Sequence, residues 1–189
     1  MPSIQPRGAH AHSSAWWKWP KVTVFTGNGK GKTSAALGIA LRALGHGLKV
    51  RIIVFMKGDF SYGEDRALEK LPNISLERFG PPRFCDPENI REEDRSEARR
   101  ALQAAREAIS CGGYDVVVLD EVNVATAWGL IPLEEVLELV KKKPPQVDLV
   151  LTGRYADARL IDLADMVTEM VEVKHPFRQG TKARRGVDF

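Results

Sequence analysis

The chain has 189 residues, of which 43% are hydrophobic and 28% charged, and its formal net charge is +3. This length favours a single domain with a substantial core, and the apolar fraction excludes an intrinsically disordered chain. No apolar run approaches the roughly 18 residues that a membrane span needs, so we expect no transmembrane helix. Cys85 and Cys111 lack the spacing of metal ligands, which favours reduced thiols and a cytoplasmic location.

Strand-like segments alternate with helical patterns along residues 21–173. In chain order, the predicted strands are 21–26, 49–56, 74–79, 115–120, 148–152 and 166–173. The predicted helices are one that follows a glycine-rich loop and ends at Gly45, then 63–71, 91–110, 132–142 and 158–164, with a proline-broken loop over 80–90. This alternation predicts an α/β fold with a mostly parallel sheet and helices on both faces.

Charge is distributed unevenly over the chain. Residues 1–20 form a basic, tryptophan-rich arm, and residues 174–189 form a more basic tail. The segment between them is mildly acidic. Such basic ends suit either nucleic acid or a bound polyphosphate, and composition does not choose between the two. We therefore predict one domain over 21–189, preceded by the arm.

A phosphate-binding loop is predicted between the first strand and the first helix. Its residues are Gly27, Asn28, Gly29, Lys30, Gly31, Lys32, Thr33 and Ser34. Glycines allow successive N–H groups to converge on phosphate oxygens, and the start of the helix adds its positive end. Lys32 supplies a mobile charge, and the Thr33 hydroxyl can bind Mg²⁺. The first glycine of the usual pattern is displaced from position 26, which is Thr26, to Gly27. The alternative interpretation is a glycine-rich turn without a ligand.

Two carboxylates follow the hydrophobic strand 115–120. The strand ends in Asp120, and Glu121 comes next. A phosphate loop needs a carboxylate on its metal side, and parallel strands direct their carboxyl ends to one edge of the sheet. We expect one or both groups to hold Mg²⁺ or Mn²⁺, directly or through water; the alternative is that they are ordinary acidic residues at a strand end.

Arg154 leaves the sheet at the same predicted edge, after the strand 148–152. It is placed to reach a phosphate or the ribose of a nucleotide, although most loop arginines are simply solvated. Arg42, on the first helix, would by itself be interpreted as a surface residue.

Several segments together resemble a known family. They are VTVFTGNGKGKTSAALGIALRALGHGLKV, VVVLDEV, PLEEVLELV, LVLTGR, LADMVTEM and VKHPFRQGTKARRGVDF. In this order they are similar to the ATP:corrinoid adenosyltransferases of the CobA/CobO/BtuR type, over about residues 21–189. The resemblance implies a phosphate-loop NTPase fold of the RecA-like kind.

The resemblance also implies a reaction. Members of the family transfer the 5′-deoxyadenosyl group of ATP to the Co(I) centre of a corrinoid and release triphosphate. Catalytic roles then fall to Lys32, on the phosphates, and to Glu121, which would hold Mg²⁺ together with Thr33 while Asp120 supports them. Arg42 and Arg154 match family positions that approach the nucleotide.

The corrinoid side departs from the family pattern. Many members carry a Gly-Phe-Thr-Trp stretch whose aromatic residues lie against the corrin and help to displace its lower axial ligand. Here residues 80–87 read GPPRFCDP, so Phe84 is the candidate aromatic residue and no Trp follows it. Cys85 as a cobalt ligand is the weaker alternative to a packed or idle thiol.

The arm is a second candidate for corrinoid binding. It holds Trp16, Trp17 and Trp19 within four residues, a density that is typical of docking. The arm either covers the corrinoid pocket, in its own subunit or in the partner subunit of a homodimer, or packs on its own domain. The resemblance further implies a reductant, such as a flavoprotein or reduced flavin, as a partner.

Three other functions compete with adenosyl transfer. A phosphate-loop NTPase or kinase would need a polarised water or an acceptor-binding lid, and neither motif stands out. A nucleic-acid-dependent ATPase is favoured only by the basic ends, because no aromatic–basic strip for stacking on bases is present. The third is an ATP-dependent sensor or binding module without chemistry.

Overall fold

A six-stranded parallel sheet forms the centre of the protein. The structure, a computed structural model, describes residues 21–58, 62–174, 180 and 184–187. The strands are β1 (Val22–Thr26), β2 (Val50–Val54), β3 (Ile74–Arg78), β4 (Val116–Asp120), β5 (Asp148–Thr152) and β6 (Met166–Glu169). The helices are α1 (Lys32–Gly45), α2 (Gly63–Leu68), α3 (Glu92–Ser110), α4 (Val122–Ala127), α5 (Leu133–Lys142) and α6 (Ala158–Leu163). The predicted α/β class with a parallel sheet is confirmed.

Successive side chains of a strand point to opposite faces of the sheet, and in these continuously hydrophobic strands both sets are apolar. Both faces of the sheet are therefore covered. On β2, Ile53 packs into a core formed largely with α3 and α5, while Ile52 packs into a second core with α1. The helix α1 approaches the sheet through small residues, since Ala36, Ala40 and Ala43 are its buried positions. Small side chains at this helical spacing allow the start of α1 to lie close over the strand ends.

The strand order is β3-β2-β4-β5-β1-β6, with every neighbouring pair parallel. Strand β1, which precedes the glycine-rich loop, is therefore separated by β5 from β4, which ends in Asp120. The registers pair Phe25 with Thr152 and Val54 with Asp120. The carboxyl ends of β1, β2, β4 and β5 consequently lie at one level along a single edge, as predicted.

Apart from shifts of one to three residues at other element ends, the structure differs from the predicted elements in two places. Helix α4 was not predicted, because its six residues, VNVATA, are β-branched, short and polar enough to look like a connection. The last strand ends at Glu169, whereas the sequence predicted it to 173. Within the described residues, no helix combines the length and apolarity needed to cross a membrane.

Candidate active site

The glycine-rich loop forms a tight turn between β1 and α1. Gly27 has a φ of 91°, in the left-handed region that favours glycine. The loop also lies directly against the chain after β6. A Cβ on Gly27 would lie 2.5 Å from the carbonyl oxygen of Met170, and a Cβ on Gly29 would lie 2.7 Å from the same atom. The Gly29 N–H donates to that oxygen over 2.6 Å. These glycines are needed because main chain, and not a flexible side chain, packs behind the loop.

The chain that leads into the basic tail passes the glycine-rich loop, because Met170 lies against Gly27 and Gly29. Most of the tail beyond Lys174 falls outside the described residues, as do Trp16, Trp17 and Trp19 of the arm.

Lys32 is folded over the loop from the first position of α1. Its ammonium Nζ donates to the carbonyl oxygens of Gly27 and Gly29, at 2.8 and 2.7 Å. Burial lowers the pKa of Lys32 below its usual value, and the positive charges of Arg154 and Lys57 act in the same direction. Within the described residues, the hydrogen bonds of the Lys32 ammonium go to loop carbonyls, so an anion bound here would add a charged partner.

Asp120 contacts three other side chains of the site, Thr33, Thr152 and Lys57. It is buried, with its side chain 3% exposed. Its Oδ1 atom accepts hydrogen bonds from the Thr33 hydroxyl at 2.8 Å and from the Thr152 hydroxyl at 2.6 Å. The contact with Thr33 joins the glycine-rich loop to β4 across 87 residues of sequence, so the loop and the end of β4 meet at one edge of the sheet, as predicted.

Glu121 occupies a special backbone conformation directly after β4. Its φ is 62°, an uncommon value for a residue other than glycine, and α4 starts at the next residue. The Glu121 N–H donates to the Thr152 hydroxyl over 3.0 Å, which helps to hold this turn. Its side chain is 23% exposed, so Glu121 is the more accessible of the two carboxylates.

Lys57 is a component of the site that the sequence analysis missed. It follows β2, and its Nζ lies 3.2 Å from Oδ2 of Asp120 and 3.1 Å from Oε1 of Glu121. Burial by itself would lower the pKa of Lys57, but the carboxylates of Asp120 and Glu121 outweigh burial and raise it above its usual value. The only sequence signal was a lysine at the end of a buried strand, beside the predicted sheet edge.

Of the other residues predicted to bind the nucleotide, three lie at or beside the loop and one lies far from it. Arg154 lies beside the loop, with its Nη2 3.4 Å from the carbonyl oxygen of Asn28. Lys30 and Ser34 are exposed on the loop and the first turn of α1. Arg42 lies in the last turn of α1, ten residues or roughly 15 Å along the helix axis from Lys32, so the fold does not bring it to the loop.

The candidate corrinoid loop leaves the same sheet edge after β3. Phe84 is 74% exposed. The loop is held by Arg83, which pairs with both carboxylate oxygens of Asp94 at 3.0 Å. Burial, followed by the negative charge of Asp94, raises the pKa of the Cys85 thiol to about 11. Cys85 is half-buried and packs against the main hydrophobic core, which favours the packed-thiol interpretation.

Comparison with known proteins identifies the family. Residues 19–189 match the family described as "ATP:corrinoid adenosyltransferase BtuR/CobO/CobP". The chain belongs to this family. Its activity is therefore adenosyl transfer from ATP to a corrinoid, a transferase reaction, and the resemblance stated above is confirmed.

Individual relatives agree with this assignment. The chain is 39% identical over 168 residues to the "Corrinoid adenosyltransferase" of Escherichia coli K12, covering 89% of this chain and 85% of the relative. It is 40% identical over 169 residues to the protein of the same name from Pseudomonas aeruginosa, covering 89% and 83%. It is 38% identical over 168 residues to "Corrinoid adenosyltransferase CobA" of Salmonella typhimurium, covering 89% and 85%. The alternatives of an NTPase, a kinase and a nucleic-acid-dependent ATPase are not favoured.

Proposed function

We propose that this adenosyltransferase attacks C5′ of ATP with the Co(I) of a reduced corrinoid, and that triphosphate is the leaving group. The cobalt electron pair forms the Co–C bond, and the electrons of the C5′–O bond leave with the triphosphate. Cobalt is thereby oxidised from Co(I) to Co(III). The corrinoid supplies the nucleophile, so the protein has to bind, align and stabilise charge on the leaving group.

The observation that carries this proposal is the charge arrangement around Lys32 and Glu121. Lys32 and Arg154 both lie at the loop, where they would offset the charge that develops on triphosphate. Glu121 contacts an ammonium group, since Lys57 Nζ is 3.1 Å from its Oε1. Glu121 is thus already engaged by an ammonium group, whereas ATP hydrolysis would need a base or an equivalent group that is free to orient water. The site therefore suits leaving-group stabilisation better than hydrolysis.

Thr33, Glu121 and Asp120 fit a magnesium ion. Bound Mg²⁺ would neutralise charge on the phosphate oxygens. The Thr33 hydroxyl already donates its proton to Asp120, so its oxygen lone pairs remain for a cation. Asp120 has protein partners on both oxygens, while Glu121 is partly exposed; this favours Glu121 as the direct ligand and Asp120 as its support. The described residues contain no group of three or more His, Cys, Asp or Glu side chains that could hold a metal. In this proposal, phosphate oxygens and water complete the shell of the ion.

The corrinoid is proposed to lie over the sheet edge towards Phe84. Strands β3 and β1 are four positions apart in the sheet, or roughly 19 Å at about 4.8 Å for each spacing. That span leaves room for a flat macrocycle between the phosphate loop and the loop that carries Phe84. The three tryptophans of the arm, a flavin-based reductant, a homodimer and a cytoplasmic location remain parts of the proposal that rest on the family resemblance and on sequence.

Product analysis tests the proposed function. The protein is incubated with ATP, Mg²⁺ and cob(I)alamin, produced by chemical reduction, under anaerobic conditions. We expect a light-sensitive Co–C bond, visible in the absorption spectrum, and one triphosphate for each bond formed. Reactions without protein and reactions with Co(II) provide the controls. Release of ADP and phosphate with no Co–C bond would refute the proposal.

A further inference from the structure

Lys57 is the one cation in the described site that contacts both carboxylates of the proposed metal position. Its Nζ lies 3.2 Å from Asp120 and 3.1 Å from Glu121. An ammonium group at these distances occupies the electrostatic position that a divalent cation would take. The carboxylates cannot give their full charge to a metal ion while this contact persists.

The main chain fixes Lys57 at this position. The preceding residue, Met56, has a φ of 66°, which turns the chain sharply as it leaves β2. The Lys57 N–H then donates to the carbonyl oxygen of Phe79 over 3.1 Å. A Cβ on Gly58 would lie 1.9 Å from the carbonyl oxygen of Gly80, so the ends of β2 and β3 touch directly behind Lys57. The backbone that carries the ammonium is therefore held by non-local contacts.

The side chain of Lys57 is confined as well. It is 24% exposed, and its Nζ lies 5.9 Å from the centre of the Tyr62 ring. Arg78 lies against the same ring at 4.5 Å, and it is paired with Asp65. These contacts differ from those of a surface lysine, which keeps its rotamer freedom and gains little from an ion pair.

We propose that Lys57 is a built-in counter-cation that competes with the divalent metal for Asp120 and Glu121, so that the metal binds well only when it arrives with the triphosphate of ATP. This inference rests on the proposed metal site. Without nucleotide, a metal ion has to displace the ammonium and leave it without a partner anion. With nucleotide, the phosphate oxygens bring new negative charge for both cations. Lys57 is thus a positioning residue that couples metal binding to nucleotide binding.

Binding of Mn²⁺ alone, followed by electron paramagnetic resonance in the absence of ATP, measures this competition without reference to catalysis. We expect Lys57→Met to bind Mn²⁺ at least tenfold more tightly than the unmodified protein, because removal of a unit charge about 3 Å from two carboxylates is worth more than one decade of affinity. Lys57→Arg keeps the charge and should stay within about threefold of the unmodified protein. When ATP is present, the advantage of Lys57→Met should shrink, since phosphate then compensates the ammonium.

Glu121→Gln separates failure of this inference from failure of the proposed metal site. If Glu121→Gln leaves Mn²⁺ affinity unchanged in an otherwise unmodified chain, the metal site itself is wrong, and the inference falls with it. If Glu121→Gln weakens Mn²⁺ binding while Lys57→Met binds it no more tightly than the unmodified protein, the metal site stands and the role of Lys57 is refuted.

A folding control keeps the test decisive. Lys57→Met leaves two carboxylates without their cation, so thermal unfolding is recorded with and without Mn²⁺. Rescue of its folding by Mn²⁺ supports the competition. Should it fail to fold under both conditions, Lys57→Gln, which retains an N–H donor without the charge, takes its place in the same titration with the same criteria.

Discussion

Thr152 offers the sharpest test of how the site is held together. Its hydroxyl donates to Asp120 over 2.6 Å and accepts the N–H of Glu121 over 3.0 Å, and the residue is fully buried. Thr152→Val replaces this hydroxyl with a methyl group of similar size. The substitution therefore removes both hydrogen bonds while it preserves the packing of β5.

The expected cost follows from these two contacts. A hydrogen bond to a charged acceptor contributes about 1.5–3 kcal/mol, and a buried N–H without a partner costs about 1–3 kcal/mol. One additional buried methyl group returns about 0.8 kcal/mol. The net loss of unfolding free energy is then about 2–5 kcal/mol, which is a large fraction of the stability of a typical domain.

Urea unfolding followed by circular dichroism measures this loss. With a slope of about 2 kcal/mol per molar urea, the midpoint should fall by about 1–2.5 M. Thr152→Ser is the matched control, because it keeps the hydroxyl and loses only a buried methyl group, at a cost of about 1 kcal/mol. A Thr152→Val variant as stable as the Thr152→Ser variant would refute the reasoning.

Three further predictions concern Lys32, the two cysteines and the N-terminal arm. Lys32→Ala should abolish triphosphate release while the urea midpoint stays close to that of the matched surface control Lys141→Ala, because Lys32 serves phosphate charge and not the core; near-normal turnover would contradict its role. With a pKa of about 11, about one in a thousand Cys85 thiols should be ionised at pH 8. Iodoacetamide should therefore label the exposed Cys111 first, as followed by mass spectrometry. Rapid labelling of Cys85 would contradict the raised pKa. Deletion of residues 1–19 should raise the KM for corrinoid more than the Kd for ATP if the arm covers the corrinoid pocket, whereas an equal loss of both, or loss of folding, would favour packing of the arm on its own domain.

Local sequence predicted the elements of the fold well. Strands such as β4 are continuous apolar runs, and their burial on both faces follows directly from that pattern. The loop and the start of α1 were predictable because spacing within eight contiguous residues determines how the backbone can meet a phosphate. Helix α4 was not predictable, since its short β-branched sequence has low helix propensity and the chain enters it through a left-handed turn at Glu121.

Part of the site was also predictable. The expectation that Thr33 and Asp120 share one sheet edge rested on a general property of parallel strands, and the hydrogen bond between them agrees with it. The position of Arg154 beside Asn28 follows the same rule. Arg42 lies at the far end of α1, and its role at the nucleotide, which the resemblance implies, stays a prediction.

The sequence by itself determined the class of fold, the glycine-rich loop and the acidic pair, because each depends on residues that are neighbours in the chain. Only the tertiary structure decided what surrounds the acidic pair. The sheet order inserts β5 between β1 and β4, which brings Thr152 to Asp120 across 32 residues, and β2 on the other side brings Lys57 to the same carboxylate across 63. Strand order depends on the packing of the whole sheet and cannot be predicted from local sequence. These two partners of Asp120 were therefore identified only in the folded chain.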